Sequence, residues 1–135
     1  MGAWSSDPFG NDTAGDWKYG LDDVDDLSLI EDTIQKLLDV GDDYLEAPDA
    51  EEAIAAIDTI ARLKGRFHTK DAYTESVDQW VAAHPLVPSA PLIDRATKAL
   101  DRILSEPSEA LELWRESDDF EAWQKQISDL KKRIR

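Results

Sequence analysis

Apolar residues fall along this chain in short runs at helical spacing, each closed by a cluster of proline, glycine or aspartate. Ile30, Ile34, Leu37 and Leu38 line one face of a predicted helix, with Ser28 and Glu31 as a capping box at its start and Gly41 at its end. Pro48 opens the next helix, where its missing amide costs nothing, and Ala50, Ala53, Ile54, Ile57, Ile60 and Ala61 hold the 3.6-residue period until Gly65 stops it. A shorter helix from Thr74 and Glu75 carries Val77, Trp80 and Val81 and ends at His84-Pro85. Three prolines between 85 and 91 make a stiff turn, with Ser89 as the next N-cap. The helix after it runs to about Ser105 on Leu92, Ile93, Ala96, Ala99, Leu100, Ile103 and Leu104, with Asp94 and Lys98 pairing outside. Ser108 caps a short helix containing Ala110, Leu111 and Trp114. Phe120, Trp123, Ile127, Leu130 and Ile134 stripe the last one, whose basic end suits the helix dipole.

The first seventeen residues break this rhythm. Trp4 and Phe9 are separated by serine, aspartate and proline, so they share no helical face and gain burial only by docking into pockets made by the rest of the chain. A short helix from Thr13 to about Leu21 follows, capped by Asn11 or Asp12, and the run Asp22 to Asp26 is expected to be a loop because like charges so close repel within a helix. No strand pattern competes. The expectation is an all-α fold: one domain over residues 1–135, a compact bundle of six or seven helices with residues 1–12 as a docked aromatic leader.

Composition refines this picture. A hydrophobic share of 41% in 135 residues is enough for one core, and the absence of cysteine excludes disulfides, thiolate metal sites and cysteine nucleophiles. With no basic apolar leader and no long apolar run, the sequence reads as cytoplasmic. Residues 1–60 hold 17 acidic and two basic side chains, whereas residues 61–135 hold 13 of each, so the whole net charge of −15 resides in the first half. Such a field argues against nucleic acid or anionic membrane as partners and favours a basic protein or cations.

The leader residues Met1-Gly2-Ala3-Trp4, Pro8-Phe9, Asn11-Asp12-Thr13-Ala14 and Asp16-Trp17 resemble the opening of the bacterial family labelled domain of unknown function 4259. The resemblance continues through Gly41 to Ala47, the alanine-rich helix, Trp80 to His84-Pro85, Ala99 to Leu104 and Glu112-Leu113-Trp114. It supports the helical reading, implies no activity and carries over no catalytic residue.

Candidate chemistry is sparse. The aspartate run from Asp22 lacks the ligand order of a calcium loop, His68 and His84 have no flanking ligand motif, and no nucleophile or metalloprotease signature occurs, so no enzyme, metal or cofactor is expected. The leading expectation is an acidic binding protein of the immunity or inhibitor type, occluding the active site of a basic toxin such as a nuclease. Its surface would comprise Asp22, Asp23, Asp25, Asp26, Asp39, Asp42, Asp43, Glu46, Asp49, Glu51 and Glu52, with Tyr44 as an aromatic anchor. The alternative is a ligand-binding or enzymatic pocket under the leader, formed by Trp4, Phe9, Asn11, Asp12, Asp16 and Trp17. A pocket requires Asp12 and Asp16 to be partly buried, whereas helix caps leave them exposed. A self-assembling acidic helical protein is a third possibility.

Overall fold

The computed structural model describes Ala3 and residues 5–135, so the expectation for Trp4 lies outside the described residues. Seven α-helices follow in order: α1 (Asp12–Trp17), α2 (Ser28–Leu38), α3 (Ala47–Leu63), α4 (Glu75–Ala83), α5 (Ala90–Ile103), α6 (Glu109–Arg115) and α7 (Phe120–Arg133). No strand occurs among the described residues, and the all-α expectation holds. The helices share one hydrophobic core that runs from Phe9 to Ile134.

Helix α3 is the hub. It packs against each of the other six helices, and every residue from Ala53 to Arg62 is buried. Its alanines explain how: Ala53, Ala55, Ala56 and Ala61 are fully covered and leave neighbouring helices little to clear. A helix covered on all sides must also satisfy the polar residues it carries. Thr59 does so locally, donating to the Ala55 carbonyl at 2.9 Å. Asp58 and Arg62, one turn apart, do so together. Arg62 Nε donates to Asp58 Oδ2 at 2.7 Å, and its remaining nitrogens reach Asp78 on α4 at 2.7 Å and the Thr69 carbonyl in the α3–α4 connection at 2.5 Å. Arg133 of α7 takes the other Asp58 oxygen at 2.9 Å. Burial opposes the charge on Arg62, but the Asp58 and Asp78 carboxylates outweigh it and raise the guanidinium above its ordinary value.

Most helix boundaries fall where the sequence pattern places them. Ser89 and Ser108 accept from the amides of Leu92 and Leu111, and Pro48 and Pro91 sit in first turns. Gly65 ends α3 at φ 75°, and the Asp94–Lys98 pair closes at 3.2 Å. Two local expectations are corrected. The first helix ends at Trp17 and passes into a tighter 3₁₀ turn over Lys18–Asp23, which buries Leu21 while Asp22 and Asp23 point to solvent. The Ser28–Glu31 capping box does not form. Leu27 is the N-cap, and Ser28 gives both its amide and its hydroxyl to Asp26, holding that carboxyl below its ordinary range.

The leader docks as a plug. Residues 5–10 fold back through the Ser5 amide to the Gly10 carbonyl and the Gly10 amide to the Asp7 carbonyl. Pro8, Phe9, Gly10 and Asn11 are buried, with the Phe9 ring 6.0 Å from the Arg62 guanidinium carbon. Gln126 of α7 ties the turn down by donating to Asp7 Oδ1 at 2.8 Å. Tryptophan side chains fasten the next elements: Trp17 donates to Thr33 at 2.9 Å, and Trp80 to the Val24 carbonyl at 3.1 Å.

Two substitutions test these restraints. Asp58→Ala leaves Arg62 and Arg133 without their shared carboxylate and is expected to cost roughly 3–5 kcal/mol, measured by urea denaturation. Gly10→Ala drives a methyl group into the Ser5 hydroxyl and backbone carbonyl, so about 1–3 kcal/mol should be lost and cleavage in the leader should accelerate under limited proteolysis.

Candidate functional site

The acidic residues do not converge on a single surface. Asp22, Asp23, Asp25 and Asp26 precede the start of α2, whereas Asp39, Asp42, Asp43 and Glu46 follow its end. The intervening eleven-residue helix is about 16 Å long, so the expected cluster divides into two patches. In the first, Asp25 approaches His84 Nε2 at 3.3 Å and Asp26 is held by Ser28. Asp49 and Glu52, in the early turns of α3, share Lys36 at 3.2 and 3.7 Å, while Asp39 accepts from Gln35 at 2.8 Å.

The second patch gains residues that the sequence pattern did not group with it. The parallel bridge between Leu45 and Ser108 brings the start of α6 beside the start of α3, through the Leu45 amide to the Pro107 carbonyl and the Glu109 amide to the Leu45 carbonyl. Glu109 then caps α3 by accepting from the Ala47 amide at 2.7 Å. Tyr44 donates to Glu112 at 2.8 Å, and that bond, with burial and the charges of Glu112, Glu109 and Glu46, pushes the phenol up to about 12. Arg102 clamps the loop by donating to the carbonyls of Gly41, Asp43 and Pro107 at 2.9, 2.8 and 3.0 Å. The carboxylates of Asp42, Asp43 and Glu46 are exposed around this clamp.

The residues expected to form a pocket under the leader separate into other roles. Asn11 is a buried N-cap that accepts from the Ala14 amide at 2.8 Å, Asp12 is an exposed first-turn carboxylate, and Asp16 is exposed one turn further along. Trp17 belongs to the core, while Phe9 faces a different cleft, beside Arg62, His68 and Tyr73. Phe9, Asn11, Asp12, Asp16 and Trp17 therefore do not line one cavity.

A cavity does lie beneath the leader, built by other residues. Asp7, Pro8 and Asn11 roof it, Glu51 and Ile54 of α3 form one wall, and Trp114, Trp123 and Gln126 of α6 and α7 form another. The Trp114 and Trp123 rings run nearly parallel, 8° apart in plane with centroids 6.0 Å apart. Glu51 is the unusual member. Burial, and then the nearby charges of Glu109 and Asp12, push its carboxyl up to about 7 against an opposing pull from the positive charge of the N-terminus. Among the described residues no group of three or more histidine or acidic side chains is arranged to hold a metal ion.

The family model for a domain of unknown function, DUF4259, matches residues 2–126. The chain belongs to the DUF4259 family. Comparison with curated proteins and with solved structures finds no match. The DUF4259 match reaches into α7 and takes in Glu51, Trp114, Trp123 and Gln126, but it assigns an activity to none of them.

Sequence reasoning groups Glu51 with the acidic residues in loops and at helix ends, since it lies near the start of α3. What it missed is the leader lying across that position. A carboxyl raised by burial is satisfied when protonated and costs the fold when ionised, so its stabilising contribution is fully present below about pH 4.5 and is lost as pH rises through 7. Glu51→Gln should accordingly match the parent protein in melting temperature at pH 4.5. It should exceed it above pH 7 by about 3 °C, the shift that roughly 1 kcal/mol gives a domain of this size. Thermal melts across that range check the crossover.

Proposed function

We propose that this protein is an acidic binding protein of the immunity or inhibitor type, which meets a basic protein partner and occludes its active site. The supporting observation is the patch at the joined starts of α3 and α6, where Asp42, Asp43 and Glu46 stand exposed beside the half-exposed ring of Tyr44. Nearby cations offset only part of it: Lys36 is shared by Asp49 and Glu52, and Arg102 is a single charge against the carboxylates of Asp42, Asp43 and Glu46, with its donors directed to backbone carbonyls. The patch is held rather than loose, since Glu109, Arg102 and the Tyr44–Glu112 bond fix the loop before any partner arrives. A preorganised carboxylate surface speeds encounter with a cationic partner and rejects acidic ones. Tyr44 supplies the aromatic anchor such interfaces favour. A basic nuclease suits this surface well, because its phosphate-binding cleft already presents cations in an open groove.

The test is an affinity pull-down from the source lysate and with the products of neighbouring genes, at low and high salt. A stoichiometric basic partner should be retained at low salt, released as salt rises, and lose its activity when bound. Reversing Asp42, Asp43 and Glu46 to lysine should slow association at least about tenfold at low salt without lowering the melting temperature. Failure to retain a basic protein at either salt, or unchanged association by the triple variant, overturns the proposal.

A further inference from the structure

The cavity beneath the leader holds a combination of acceptor groups that is not fully met among the described residues. Its charged lining residues are Asp7 and Glu51, both acidic, and no basic side chain lines it among the described residues. Asp7 already accepts from Gln126 Nε2. That bond fixes the amide orientation, because reversing it would set acceptor against acceptor. Gln126 Oε1 is left buried without a hydrogen-bond partner. The free room amounts to about 30 Å³, bounded by the indoles of Trp114 and Trp123 and by the apolar side chains of Ile54 and Ile127.

Each feature constrains the occupant. An unpaired carbonyl oxygen and a carboxylate both need donors, and indole faces attract positive charge. Free room of this order suits a compact head group. A planar guanidinium suits a compact space less well, a quaternary ammonium offers no N–H, and an anion would be repelled by the carboxylates of Asp7 and Glu51. We propose that this cavity binds a primary ammonium group, taken by Glu51 and Gln126 Oε1 against the Trp114 and Trp123 rings, with the attached carbon chain leaving along the apolar wall. The inference is independent of the outer patch, which could fail to dock a partner without emptying this cavity.

The class also gives a reason for keeping Glu51 where burial disfavours its charge. An arriving ammonium relieves both the repulsion from Glu109 and Asp12 and the unmet acceptor on Gln126.

The experiment follows the indole N–H resonances of Trp114 and Trp123 in the full chain at pH 8, titrated with ethylammonium chloride. Sodium chloride and tetramethylammonium chloride at equal ionic strength serve as controls. Saturable shifts are expected with ethylammonium alone, weakened at least tenfold in Glu51→Gln and also weakened in Gln126→Leu. Two further probes separate the possible sources of the group: Nα-acetyl-lysinamide represents a protein side chain and putrescine a free amine, and the tighter of the two names the source. Shifts no larger than those from sodium or tetramethylammonium overturn the proposal. So does unchanged ethylammonium binding by a folded Glu51→Gln protein. Because the lysine substitutions at Asp42, Asp43 and Glu46 lie outside the cavity, ethylammonium binding should survive in that variant.

Discussion

The Asp58–Arg62 pair is the constraint on which the remaining packing rests. Helix α3 is enclosed by six others, and a carboxylate and a guanidinium inside that enclosure are tolerable only when every neighbour arrives in register. Asp78 fixes α4, Thr69 fixes the connection leading to it, and Arg133 fixes the far end of α7, all through two side chains on one turn of α3. Apolar surfaces on these helices could pack in several rotations at little cost. The ion-pair network leaves one arrangement in which no charge is stranded, and the Phe9 ring closes it from the leader side.

How much of this could be read from the chain depends on whether a feature is local. Ser89, Ser108, Pro48 and Gly65 mark helix limits because cap geometry is decided within four residues. The amphipathic stripes of α2, α5 and α7 were legible for the same reason. Asp58 and Arg62 were not, since a carboxylate and an arginine at i, i+4 look identical whether solvent or another helix lies over them. The capping box failed by a narrower margin: Asp26 offered the Ser28 hydroxyl a stronger acceptor than the box provides a donor, and the helix begins one residue earlier than the motif implies. The acidic half is legible as a composition, but its division into groups before and after α2 depends on where that helix lies.

The leader shows the same limit at the site itself. Its need to dock was legible from aromatics without a period, and Phe9 docks. What it covers depends on contacts more than 60 residues distant, with α6 and α7, and these turn Glu51 from a surface acid into a cavity wall. The result is a polar, electronegative slot beside a structural plug, neither of which has a linear signature.

The bridge between Leu45 and Ser108 has a consequence for how the protein could report on its own integrity. Asp42, Asp43 and Glu46 come from the first half of the chain and Glu109 and Glu112 from the second, so the composite surface vanishes when α6 detaches. A ligand seated there has no unfolded counterpart to bind, and its full affinity is added to conformational stability by mass action. Occupancy and foldedness then become one equilibrium. A bound chain would resist proteolytic turnover, while a free one would be removed at the rate set by its own opening.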